Sequence, residues 1–151
     1  MLTEKQHERY ARQILLTEVG EAGQERLLGT SVGAEVGPDS AAEVAAIVYL
    51  AAAGVGRIVL GDRAREAVTA DEVTSGLAYG IGDVGRPRID AIRDRIRAIN
   101  PDVSVEVGAP EEADARLPAA NLPTGADLAM ALARGCTTAT GLLPALFRGS
   151  R

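Results

Sequence analysis

The sequence predicts an α/β fold: a mostly parallel sheet flanked by helices, entered through an N-terminal helical arm. Three observations carry this. Apolar residues make up 46% of the 151, yet aromatics are only 3%, so the core must be Ala, Val, Ile and Leu, which suits helices laid on a sheet. A strand, a helix and a second strand follow one another between Ser31 and Gly61, the spacing of a right-handed crossover unit. The helix of that unit, about residues 40–53, is apolar nearly all round and should be well buried.

The elements follow in order. Thr3-Glu4-Lys5-Gln6 reads as a capping box opening a helix that Gly20 ends. A second helix covers Glu21 to Leu28 and stops at Gly29. Val32, Ala34 and Val36 share one strand face by period two, while Gly33 and Glu35 spoil the other. Asp39 or Ser40 caps the apolar helix, with Ser40-Ala41-Ala42-Glu43 as a second capping box and Gly54 as its C-terminal cap. Arg57 to Gly61 is a short buried strand ending at Asp62, and a short helix is expected near Ala70. Pro87 starts a helix with Ile89, Ile92, Ile96 and Ile99 on one face. Val103, Val105 and Val107 alternate as a strand. These readings give an arm (1–29), a core (30–107), a surface linker (108–125) and a C-terminal part (126–151) holding two helices, about 126–134 and 138–148.

Charge and composition exclude several function classes. The net charge is -5, which gives no field attractive to nucleic acid or an anionic membrane. Cys136 is alone, so neither an intrachain disulfide nor a cysteine zinc site is expected. Glu4, His7 and Glu8 interrupt the start where a signal peptide needs an apolar run, and Val44 to Val55 is too short to span a bilayer. A soluble cytoplasmic protein is the expectation.

Five blocks carry a resemblance. They are Arg9-Tyr10-Ala11-Arg12-Gln13, Gly23-Gln24-Glu25-Arg26-Leu27, Tyr49-Leu50-Ala51-Ala52-Ala53-Gly54-Val55-Gly56, Asp83-Val84-Gly85-Arg86-Pro87-Arg88 and Ala98-Ile99-Asn100-Pro101-Asp102-Val103. In this order and spacing, over residues 9 to about 107, the chain resembles the MoeB/ThiF (ubiquitin-activating-enzyme-like) adenylyltransferases. The resemblance implies a Rossmann-like core. It also implies ATP-dependent adenylation of the C-terminal carboxylate of a ubiquitin-like or sulfur-carrier protein.

The chain departs from that pattern where phosphates would bind. A phosphate cradle needs glycines at a helix N-terminus so that main-chain amides can approach. Counting back from Tyr49 puts the family's three motif glycines near Pro38, Ser40 and Glu43. Glu72-Val73-Thr74-Ser75-Gly76 stands where the family supplies a phosphate-contacting Arg, and Arg88 stands where it has a phosphate-contacting Lys. The family's magnesium-binding acidic motif, its zinc-binding cysteine pairs and its substrate-binding half have no counterpart. ATP binding is therefore expected to be lost or very weak, with no cofactor and no metal site.

Three residues stand out by this resemblance. Arg12 matches the Arg that reaches across a dimer to the partner's ATP phosphates, an arginine finger in trans; the plain alternative is an exposed helix Arg. Asp62 matches the acidic ribose contact, and Arg88 remains as a second remnant of a nucleotide site; more often an Asp placed like Asp62 terminates a strand or caps the next turn. Other features are weaker. Gly80-Ile81-Gly82-Asp83-Val84-Gly85 is a literal dinucleotide fingerprint, but Thr74 to Tyr79 makes a poor strand and Asp83 would repel a pyrophosphate. Gly54-Val55-Gly56 follows a helix instead of opening one. Cys136 and His7 lack companions for nucleophilic or metal chemistry. Glu35, if buried unpaired, would cost several kcal/mol, so it is expected at an edge, beside an Arg, or on a displaced strand.

Two functional expectations follow. The first is a non-catalytic partner subunit that forms a homo- or heterodimer with a ThiF/MoeB-like protein. The second is a stand-alone homodimeric scaffold recognising a carrier-protein tail or a metabolite. A small NAD- or ATP-binding enzyme using glycines 80–85 is a lesser third.

Overall fold

A computed structural model describes residues 1–75, 79–120 and 128–148. Four strands form one parallel sheet in the order β3-β2-β1-β4. They are β1 (Ser31–Ala34), β2 (Arg57–Leu60), β3 (Ser104–Val107) and β4 (Ala115–Arg116). The helices are α1 (Glu4–Ile14), α2 (Gly20–Leu28), α3 (Ala41–Ala53), α4 (Ala70–Ser75), α5 (Arg88–Ile99) and α6 (Leu128–Arg148). This is the Rossmann-like α/β fold that the sequence predicts.

Register explains the core. Val32 pairs with Ile58 and Ile58 with Val105, so period two aligns one apolar row across three strands. That row joins Ile47 and Leu50 of α3 and Ile92 and Ile96 of α5 in a single buried cluster. The other face of the sheet is more polar: Arg57 and Glu106 pair there at 3.2 Å across β2 and β3. Gly33 faces that side too, and the backbone of Pro110 lies so close that a Cβ at 33 would stand 2.0 Å from its carbonyl oxygen. Gly33 thus spoils no packing. It admits the turn that leads into β4.

Several expected details differ. Thr3 forms its capping box with Gln6, but α1 ends at Ile14, not Gly20. Gly20 instead opens α2 with φ at +58°. Ile99 is 42% exposed and leaves the isoleucine face, whose last place is taken by buried Asn100. Residues 108–125, read as a linker, contain a 3-10 turn (Pro110–Glu112), β4 and the buried Leu117. The pair of C-terminal helices is one continuous helix, α6, which runs through Pro144. Gly135 lies within it where α6 crosses α3, and a Cβ at 135 would lie 2.3 Å from the Ala42 carbonyl oxygen.

The signature blocks fold into one joint. The Asn100 amide donates to the Tyr10 hydroxyl at 2.8 Å and to the Ala51 carbonyl at 2.7 Å. Arg9 pairs with Asp102, and Gln24 donates to the Ala53 carbonyl at 3.1 Å. Gly54, left-handed at φ +98°, lets the Tyr10 ring and Gln24 close over the end of α3. Four of the five blocks therefore dock the arm onto the core.

Candidate functional site

In an open parallel sheet the ligand crevice lies outside the carboxyl ends of the strands, where the strand order reverses. Here the order reverses at β1, between β2 and β4. Two clefts open at that edge. One, about 550 Å³, is lined by Glu35, Ser40, Glu43 and Arg116 with Leu117 to Ala119. The other, about 410 Å³, is lined by Glu35, Gly61, Asp62 and Arg63 with residues 108–111.

The turn from β1 into α3 is closed on itself. Gly37 N–H donates to Ser40 Oγ at 2.7 Å, and Ser40 N–H donates to the Gly37 carbonyl at 3.2 Å. Pro38 has no N–H to offer. The expected capping box at Ser40 and Glu43 does not form, since Ser40 Oγ serves Gly37. The Glu43 carboxylate instead accepts from Ala120 N–H at 2.7 Å. The guanidinium of Arg63 lies over Gly37, so close that a Cβ there would be 2.7 Å from its Cζ. The amides at Gly37 and Ser40 are thus engaged within the turn, and Glu43 places a carboxylate in the first turn of α3.

Arg88 is buried at 1% exposure and does not face the crevice as a free cation. Its Nε and Nη2 hold the two carboxylate oxygens of Glu72 at 2.8 Å each, and Nη1 reaches Glu66 at 3.1 Å. Burial pushes the Glu72 carboxyl up, but hydrogen bonds from Arg88 and Thr69 outweigh it and hold Glu72 below its ordinary value. The same hydrogen bonds, which Arg88 donates to Glu72, keep Arg88 above its ordinary value. The residue expected as a nucleotide remnant is thus engaged in pinning α4 to α5.

Asp62 stands at the carboxyl end of β2, on the crevice rim, with its side chain 91% exposed. Arg12 is exposed on α1 and has no hydrogen-bond or ion-pair partner among the described residues. The two lie on different parts of the molecule, and no described contact brings them together. Glu35 is exposed just beyond β1, with its carboxylate 3.9 Å from Arg116, so the paired-Arg expectation describes it, whereas β1 is an inner strand and not a sheet edge. In the glycine run 80–85, Gly80 N–H donates to the Asp83 carboxylate, and the chain makes a 3-10 turn before α5 opens at Arg88. That geometry offers no strand-to-helix phosphate turn; positions 76–78 of its lead-in lie outside the described residues.

Arg63 and Arg116 escaped the sequence reading. Arg63 carried one usable signal, its place directly after the Asp that ends β2. Arg116 carried none, because β4 is two residues long and shows no period. Among the described residues, no group of three or more His, Cys, Asp or Glu is placed to hold a metal. No helix among them is long and apolar enough to cross a membrane.

The profile of the ThiF family matches residues 10–131. The chain belongs to the ThiF family. The match runs through β4 and into α6, beyond the five sequence blocks. A SAMP-activating enzyme E1 of Haloferax volcanii is 40% identical over 101 residues, 67% of this chain and 36% of that protein. A sulfur carrier protein adenylyltransferase of Thermus thermophilus is 38% identical over 104 residues, 69% of this chain and 37% of that protein. The crystal structure of PaaA superposes with a TM-score of 0.61 at 30% identity, covering 71% of this chain and 36% of PaaA. The chain therefore spans little more than a third of these ThiF-family relatives.

Proposed function

We propose that this ThiF-family chain is a non-catalytic partner subunit: it docks on an active adenylyltransferase and does not itself activate a carrier protein. The observation that carries the reading is the self-closed turn at Gly37 to Ser40, where relatives of this fold class use open glycine amides for phosphate. The sequestered Arg88 supports it, since that cation is not left in its expected phosphate-contacting role. The arm supports the docking half. It is fastened to the core through Tyr10 and Arg9, yet it presents Arg12 and the 83% exposed Leu15 outward. An Arg offered in trans to a transition state of phosphoryl or adenylyl transfer can be worth about 10³–10⁵ in rate. The carriers named by the relatives, SAMP and sulfur-carrier proteins, are the substrate class of the complex.

The stand-alone scaffold reading has less support. A carrier tail ends in a carboxylate, and the crevice already holds Glu35, Glu43 and Asp62. Co-expression with a full-length ThiF-family relative tests the proposal. A stable complex on gel filtration, with pyrophosphate exchange that falls in Arg12→Ala, is the expected result. Pyrophosphate exchange by this chain alone would overturn it.

A further inference from the structure

We propose that Arg93 is a latch on the open edge of the sheet, holding off strand addition by a second copy of this chain. The register defines that edge. Among the described residues, β3 has β2 as its only neighbour in the sheet. Ser104 N–H donates to the Gly56 carbonyl and Gly108 N–H to the Leu60 carbonyl, with Ile58 opposite Val105 and Leu60 opposite Val107. In a parallel pair alternate residues turn both main-chain groups to the neighbour, so Ser104, Glu106 and Gly108 face β2. Val105 and Val107 turn their N–H and C=O outward. An outward row of this kind is a template for another strand, and the same row on an identical chain, turned about a two-fold axis, completes it.

Arg93 covers that row. Ile92 and Ile96 of α5 are buried in the cluster that holds Val105, which leaves Arg93 at the rim of the sheet. Its Nε donates to the Val105 carbonyl at 3.3 Å and its Nη2 to the same oxygen at 3.2 Å. Its Nη1 donates to Asp90 Oδ1 at 3.0 Å, one turn earlier on α5. The guanidinium is thus anchored on one side and grips the strand with the other. Among the described residues, no other side chain bonds the outward groups of Val105 and Val107. An incoming strand has to break this charge-assisted contact and pack against the cation. Glu106, exposed on the same strand and paired with Arg57, adds a second charge there. The side chains of Arg93 and Asp90 are 48% and 45% exposed, so the contact does not serve to fill the core.

Sedimentation and amide hydrogen exchange of the full chain across a range of protein concentration test this. Exchange is read at Val105 and Val107, so association through the arm does not register there. Arg93→Ala should self-associate, with exchange slowing at both amides, at concentrations about tenfold below any at which the natural chain does so, the worth of one hydrogen bond from a charged donor. Asp90→Ala, which frees the anchor and leaves the strand untouched, should shift in the same direction by less, and it carries the test if Arg93→Ala does not fold. Adding Val107→Pro to Arg93→Ala should abolish the slowing at Val105, because it removes an outward donor that β2 does not use. Exchange at Val105 and Val107 that stays independent of concentration in both Arg93→Ala and Asp90→Ala overturns the inference. So does a concentration-dependent slowing at Val105 that survives Val107→Pro, since the contact then lies on another surface.

Discussion

At the residue scale, the Arg88–Glu72 pair has the largest consequence. Removing one member of a buried ion pair leaves the other uncompensated and costs about 3–5 kcal/mol. Arg88→Leu should therefore lower stability by that order in urea unfolding, and Arg88→Leu with Glu72→Leu should recover much of it. Arg88→Ala in a working phosphate site would instead leave folding intact. The same pair sets an acid limit. Glu72 ionises more readily folded than unfolded, so its contribution is complete above the ordinary carboxyl value of 4.5 and is lost as pH falls through the lower folded value. Asp114, held down by hydrogen bonds from the Ser31 hydroxyl and amide, acts in the same direction. Stability should decline below about pH 4.5, and Glu72→Gln should flatten that decline in a pH series of thermal melts. Asn100 is the other residue of weight. Its amide ties Tyr10 to Ala51, and Asn100→Ala should cost about 1–3 kcal/mol by leaving those acceptors unmet. Faster hydrogen exchange in α1 would show that the arm has loosened.

At the scale of elements, the crossings are set by glycines that make room for backbone. Gly33→Ala would push a Cβ into Pro110, and overpacking of this kind costs about 1–3 kcal/mol. The loss should appear as lower urea stability, with β4 amides exchanging faster than those of β2. Much of the element order was legible. The Thr3 capping box, the Gly54 cap and the crossover from β1 to β2 are local signals, and each stands where its residues predict it. The misreadings come from non-local causes. The break expected between about 134 and 138 is spanned by α6, and Gly135 lies there against Ala42 and Ala45 of α3. β4 is too short to show a period and exists because Val32 and Gly33 offer it an edge. Ser40 and Glu43 spell a capping box, but each side chain finds another partner, Gly37 and Ala120. The site divides the same way. Pro38 and Glu43 stand out in the sequence itself as departures from a glycine turn. The Glu72–Arg88 pairing is 16 residues apart and follows no pattern, so nothing local separates Arg88 the structural pin from Arg88 the remnant ligand.

For the whole molecule, the chain has the ThiF-family core, and the turn from β1 into α3 is hydrogen-bonded on itself between Gly37 and Ser40. The family signature in this chain belongs mainly to the joint between arm and core, where Tyr10, Gln24, Gly54 and Asn100 meet. On the proposed function, that joint is what the signature blocks serve in this chain. Calorimetric titration of the purified chain, alone, with Mg·ATP bears most directly on this. The account predicts no saturable heat up to millimolar nucleotide, together with no pyrophosphate exchange. Stoichiometric binding at micromolar affinity, lost on Asp62→Ala, would contradict it.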